Sequence, residues 1–276
     1  PDSGDRPIHP SHPVALTPAF IEAVSGHTFA IPELRTEADL RILERIVHNI
    51  PRLDAAEGWN ITFGRELNAT DDREHFHSGR GGLPVLEGKH IEPFRVHADR
   101  STLRISLHSA SRLLDGKTTF SRHRLSYRDV ASSTNRLSLI AAVLPPGVVT
   151  THSLFCLKTT LSFDNQAFLC AMLNSCVANY LVRQVMTTHL GSATVEGLRV
   201  PKPRYDSPLF QEIVDLAHHL RNAHADAALA RVQALAAHCY GLTEAEFAHI
   251  LTTFPLIDSS ERRLALEKFR GAGDLS

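Results

Sequence analysis

The spacing of apolar residues changes once along this chain, near Asp164, and that change limits the fold more than any other feature. Before it, apolar residues alternate or cluster in short runs, as strands do: Trp59, Ile61 and Phe63, then Leu83 to Leu86, Leu103 to Leu107, Arg124 to Val130, Leu137 to Leu144 and Val148 to Lys158. After it, Phe168, Leu169, Met172, Leu173, Cys176, Tyr180 and Leu181 recur at helical spacing and predict one long helix with a wide apolar face. Pro201 and Pro203 break the chain. Helices are then expected over Phe210 to Arg221 and Ala225 to Cys239, with Gly241 as a stop and Thr243 capping another short one. Upstream, Thr36 and Asp39 form a capping-box pattern that starts an amphipathic helix over Thr36 to His48, and the five prolines between Pro1 and Pro18 predict an extended lead-in. The expected fold class is α+β. Its expected parts are a linker and connector helix over 1–58, a β-rich domain ending in the long helix over 59–203, and a helical region over 204–276.

Composition narrows the function classes. A chain of 276 residues that is 43% hydrophobic and 21% charged has enough apolar surface for a folded core. Its 29 basic residues balance 30 acidic ones, so any contact with a polyanion must come from a local patch. Four cysteines without a CxxC pair fit a reducing cytoplasm, and no apolar run reaches the roughly 18 residues of a membrane span. Because the sequence starts at Pro1 and has methionine only at Met172 and Met186, it is expected to be a piece of a longer polypeptide. The phosphate-cradling G-x-x-x-x-G-K-[ST], the dinucleotide G-x-G-x-x-G, the hydrolase G-x-S-x-G and the zincin H-E-x-x-H are all missing. No catalytic residue is assigned.

Three sets of residues carry possible chemistry. Glu87-Gly88-Lys89 and Asp115-Gly116-Lys117 have the carboxylate-x-lysine form of a metal-dependent nuclease, although triplets this short also occur in ordinary turns. His75, His77, His218, His219, His224 and His238 with Cys239 offer zinc-type donors, but their spacing matches no standard finger. The strongest signal is the stretch from Arg95 to Arg136, where nine basic residues face three acids. Arginine grips phosphate and reads guanine with a planar fork, which makes nucleic acid the leading partner; a solvated face with internal ion pairs is the alternative.

Several ordered stretches resemble a known family. Leu83-Pro84-Val85-Leu86-Glu87-Gly88-Lys89-His90-Ile91-Glu92-Pro93-Phe94 is similar to a segment of the target-recognition domains of TaqI-like and type IIG restriction-modification adenine-N6 DNA methyltransferases. Tyr127-Arg128-Asp129-Val130-Ala131, Thr134-Asn135 and Leu139 to Pro145 resemble the strand pair of that family. Leu173-Asn174-Ser175, His189-Leu190 and Leu198-Arg199-Val200-Pro201-Lys202-Pro203 resemble a segment that type I specificity subunits share, and Tyr240 to Pro255 resembles the C-terminal tail. The resemblance implies a sequence-recognition module for double-stranded DNA, joined in its parent protein to an N-terminal methyltransferase domain that uses S-adenosylmethionine. The chain lacks the [DNS]-P-P-[YF] motif that holds a flipped adenine, so by itself it is expected to bind no cofactor and to be inert. Expected base contacts lie in the stretch Arg112 to Arg124, including Arg122, His123 and Arg124, with Arg104, Arg128 and Asn135 nearby; Lys89, Lys117, Arg136 and Lys158 are expected on phosphates. The rival expectations are a module that docks a defence-system subunit and a small metal-dependent nuclease.

Overall fold

The computed structural model describes residues 8, 13–26, 29–114, 116, 119–131, 135–186 and 189–272. In chain order the elements are α1 (Pro18–Ser25), α2 (Glu37–Asn49), β1 (Phe63–Gly64), β2 (Phe76–Ser78), β3 (Leu83–Leu86), β4 (Ile91–Glu92), β5 (Arg95–Val96), β6 (Leu103–Ile105), α3 (Leu107–Leu113), β7 (Arg124–Arg128), β8 (Ala141–Leu144), β9 (Val149–Thr150) and β10 (Leu154–Leu157). Seven helices follow: α4 (Phe163–Leu173), α5 (Cys176–Val185), α6 (Ser192–Glu196), α7 (Pro208–Asn222), α8 (Asp226–Cys239), α9 (Glu244–Thr252) and α10 (Ser259–Arg270). The architecture is α+β.

The main sheet is antiparallel in the order β1-β10-β7-β8. Its strands are apolar on both faces because each face covers a different core. Leu125, Tyr127, Ala141, Val143, Phe155 and Leu157 point into a large helical core, while Ala142, Leu144, Leu154 and Cys156 point into a smaller one with Leu86, Ile91 and Val148. The large core continues from Ile42 of α2 to Ala272, crossing residues 58 and 203 without interruption. Inside it Trp59 stacks on Phe168 at 5.5 Å and donates its indole N–H to the Pro201 carbonyl at 3.1 Å.

Several sequence expectations change in the fold for local reasons. Leu103 to Leu107 is a strand only to Ile105, because the Ser106 hydroxyl accepts from Ser109 N at 3.0 Å and starts α3. Of Leu137 to Leu144, only Ala141–Leu144 pairs with β7; the N–H groups of Ser138 and Leu139 bond instead to the Asn179 side-chain oxygen, each at 2.8 Å. Val148 to Lys158 divides between two sheets, β9 running parallel to β3 and β10 antiparallel to β7. The single long helix is broken at Asn174 and Ser175. Ser175 is extended and caps α5, while Asn174 turns its amide onto both the N–H and the carbonyl of Ala141, at 3.0 and 2.8 Å. The Leu173-Asn174-Ser175 motif is therefore a buried clamp between helix and sheet. Pro18 starts α1 at a position where a missing N–H costs nothing, and α10 follows an Asp258 cap beyond the last helix expected.

The Thr36–Asp39 capping box forms as its spacing predicts, and Asp39 does more than cap. One carboxylate oxygen accepts from Tyr180 Oη at 2.6 Å and His249 Nε2 at 2.8 Å, and the other from the N–H groups of Arg35 and Thr36, both at 2.9 Å. Burial alone would raise this carboxyl, yet the hydrogen bonds from His249, Tyr180, Arg35 and Thr36 hold it well below the ordinary carboxylate range. A carboxyl depressed by folding stabilises the protein fully above its unfolded value, and that contribution is lost as pH falls from there toward the folded one. Asp39→Asn is expected to cost about 1–3 kcal/mol at neutral pH and to flatten the loss of stability below about pH 4. Urea midpoints measured from neutral to acidic pH check this; parallel acid slopes in wild type and variant would show that Asp39 is not the group responsible.

Candidate nucleic-acid interface

Most residues between Glu66 and Arg122, together with β9, build a small lobe on the main body. Its sheet runs in the order β2-β6-β3-β9, and its core is Leu67, Val85, Ile105, Ala110, Leu114, Phe120 and Val149. Register sorts the side chains. Phe76, Ile105 and Leu83 lie opposite one another and belong to this core, whereas His77, Arg104 and Pro84, one residue along, share the other face. The chain moves from β2 to β3 on the far side of β6 through the exposed Gly79–Gly82 crossover. Gly82 has φ +74, and a Cβ there would sit 2.5 Å from the Ile105 carbonyl oxygen, so only glycine fits.

Cations gather on this lobe. Arg73 and Arg80 are exposed, Arg104 is half-buried, and Arg112 is exposed on α3 with Nη2 3.1 Å from His75 Nε2. Among the described residues no carboxylate forms an ion pair with any of these four arginines. The nearby acids are engaged: Asp71 accepts from the Asn68 side-chain amide, Asp72 from the Asn68 N–H, and Glu74 lies 3.4 Å from His75.

The other expected contact residues are placed differently. Arg124 is the clearest correction: its side chain is 1% exposed and pairs with Glu66, 0% exposed, through Nε to Oε1 at 2.7 Å and Nη2 to Oε2 at 3.0 Å. Nη2 also donates to the Val148 carbonyl at 2.6 Å, leaving no surface for a base. Burial by itself would lower the Arg124 pKa, and the Glu66 charge raises it above the ordinary value. Arg122 is turned back onto Thr160 Oγ1 and the Lys158 carbonyl, both at 2.9 Å, and Lys158 donates to the Arg65 carbonyl at 3.0 Å. His123 stacks on Phe163 at 4.3 Å, where burial and Arg221 lower its pKa. Arg128 is half-buried and donates to the Ile91 carbonyl, while Asp129 pairs with Arg65 at 3.0 Å rather than with its sequence neighbour. Arg136 pairs with Glu261 on α10; Asn135 is exposed beside it. Lys117 lies outside the described residues, as do Asp115 and Thr134.

The metal-type candidates have local partners. Lys89 Nζ is 2.6 Å from Glu87 Oε2, so the first carboxylate-x-lysine triplet is an ion pair closed on itself. His218 bonds to Asp164, His224 to Asp226, and His238 to the Phe269 carbonyl. Among the described residues no group of three His, Cys, Asp or Glu side chains is placed to hold a metal ion, and no helix is long and apolar enough to cross a membrane. The four cysteines are free, with burial pushing Cys156 up to about 11 and Cys170 and Cys176 up to about 12.

Of the expected contact residues that the structure describes, Arg104 and Arg112 fall on the lobe's cationic surface without a carboxylate partner among the described residues. Arg73 and Arg80 lie upstream of the Arg95 to Arg136 stretch, and His75 and His77 enter the sequence reading only as possible zinc donors. Their signal was a run of Arg and His beside a glycine cluster, two segments that only the β2-β6-β3 pairing joins.

No protein-family model matches the sequence, and no curated protein matches it. Among solved structures, a chain from work on the complex assembly and conformational transition of the type I restriction-modification system is similar at a TM-score of 0.36 and 11% identity. The similarity covers 85% of this chain and 52% of that one, so this chain spans about half the length of its structural neighbour.

Proposed function

We propose that this chain is a sequence-recognition module for double-stranded DNA in a restriction-modification or phage-defence system. It works in the cytoplasm beside an adenine-N6 methyltransferase domain of its parent protein, which supplies the S-adenosylmethionine chemistry. The observation that supports this best is the lobe itself: Arg73, Arg80, Arg104 and Arg112 carry charge with no acidic partner among the described residues, while Lys89, Arg95, Arg124 and Arg136 are paired. Arginine forks on β6, on α3 and on the segments flanking β2 are suited to phosphate oxygens, which set register, and to base edges, which set sequence.

Phosphate contacts from Arg73, Arg104 and Arg112 give an expected log K against log salt slope of about −2.7, or about a 40-fold loss of affinity between roughly 50 and 200 mM salt. Fluorescence anisotropy of the full chain against a randomised duplex pool, followed by sequencing of the retained DNA, measures both slope and site. A flat salt response overturns the proposal, and Mg²⁺-dependent cutting of the pool would favour a nuclease.

A second reading has its own observation. The C-terminal helices and the β5 region enclose a cavity of about 310 Å³, walled by Phe94, Leu137, Ile140, Leu229, Leu251 and Ile257, with Arg136 and Glu261 also on its lining. Such a site suits an apolar side chain of a partner subunit. Salt-insensitive binding of a defence-system subunit, with none to DNA, would favour it.

A further inference from the structure

Resting on the DNA reading above, we infer that Arg80 is a specificity-determining residue that enters the minor groove of the duplex, carried by the Gly79–Gly82 crossover. Gly79, Gly81 and Gly82 have φ of +116, +93 and +74, so the backbone around Arg80 follows a path closed to other residues. The three glycines differ in their surroundings. Gly82 is held by the Ile105 backbone, but a Cβ on Gly79 or Gly81 would meet nothing within 4 Å. Arg80 is thus the one side chain on an exposed strip of backbone that is bare on either side of it.

Width decides the groove. A single bare strand is about as wide as the strand spacing of a sheet, roughly 4.8 Å, and the minor groove is about 6 Å wide. A major groove of about 12 Å takes a helix or a two-stranded ribbon, and a lone bare strand would leave it largely unfilled. The crossover also has polar side chains beside it: a Cβ on Gly82 would lie 3.5 Å from His77 Cε1, and His77 shares its sheet face with Arg104. With Arg80 on the groove floor, those side chains face the phosphates of the groove wall. An arginine there donates to the minor-groove acceptors and is opposed by the 2-amino group of guanine, itself a donor, and it favours narrow A·T-rich segments of enhanced negative potential.

The test uses the duplex enriched by the selection and two sets of altered bases. One inverts the minor-groove 2-amino groups, with 2,6-diaminopurine for adenine and inosine for guanine; the other removes only the major-groove N7, with 7-deazapurines. Wild type is expected to lose about tenfold in affinity on the amino-inverted duplex, the scale of one base-edge contact, while Arg80→Ala binds natural and inverted duplexes equally. The ratio of wild type to Arg80→Ala is expected to be unchanged by 7-deazapurines. Arg80→Lys, which keeps the charge but loses the planar fork, is expected to follow Arg80→Ala. An Arg80→Ala loss that is uniform across all duplexes, with the salt slope reduced by about one, would make Arg80 a phosphate contact and overturn the inference. So would an Arg80 contribution that disappears with 7-deazapurines. Failure of wild type to bind any duplex overturns the DNA reading itself, and the inference with it.

Discussion

Arg124→Ala is expected to lower the free energy of unfolding by about 3–5 kcal/mol, the cost of leaving a buried carboxylate without its partner. Glu66 is completely covered and accepts from Arg124 twice, from Thr150 N at 2.8 Å and from Thr150 Oγ1 at 3.0 Å. Arg124 lies on β7 of the main sheet and Thr150 on β9 of the lobe sheet, so Glu66 ties the lobe to the body at its root. Removing the guanidinium leaves the charge inside with only hydroxyl and amide donors, from Thr150 and, at 3.5 Å, Thr119. Urea denaturation of Arg124→Ala, Glu66→Gln and the double variant Arg124→Met/Glu66→Met separates the contributions. The double variant should be more stable than Arg124→Ala because it removes both charges and keeps the volume. An unchanged urea midpoint for Arg124→Ala, with weakened DNA binding, would place Arg124 at the interface instead.

The four lobe arginines should behave in the opposite way. Replacing Arg73, Arg80, Arg104 and Arg112 together by Gln is expected to remove the salt-dependent part of duplex binding and lower affinity by about 10³-fold at low salt. Stability should move little, by about 0.5 kcal/mol per site, because among the described residues these arginines form no ion pair. As a matched control, Lys89→Gln, Arg95→Gln, Arg136→Gln and Arg231→Gln remove four charges that are spent on Glu87, Glu92, Glu261 and Glu212. Anisotropy and urea midpoints on both combinations give the contrast. Equal affinity losses from the lobe set and the control set would mean that net charge alone, and no particular face, attracts the DNA.

These two predictions divide one class of residue, and the division shows what a sequence can and cannot carry. Arg112, Arg122, Arg124 and Arg136 look alike in the chain, each set among Ser, Thr, His or Leu. In the fold Arg112 is exposed with no acidic partner among the described residues, Arg122 is bound to Thr160 and a backbone carbonyl, Arg124 is buried against Glu66 and Arg136 is paired with Glu261. The partners of the last two are 58 and 125 residues away.

Features that depend on neighbours a turn away were legible. The Thr36–Asp39 box, the Thr243 cap, the boundaries of α7 and α8 and the buried alternation of Trp59, Ile61 and Phe63 all follow from hydrogen bonds and side-chain periods within a few residues. The break at Asn174 was not legible, since helical spacing continues through it and only the distant Ala141 backbone gives the amide a reason to turn. By itself, then, the sequence determined where the capped helices α2 and α9 start, the period of the apolar residues in each half, and that cationic side chains are concentrated in the middle of the chain. Tertiary structure alone decided which of those cations remain free, because an ion pair or burial is made by residues that folding brings together from far along the chain. It likewise decided that Arg73 and Arg80 share a lobe with Arg104 and Arg112, through a sheet whose order no local pattern specifies.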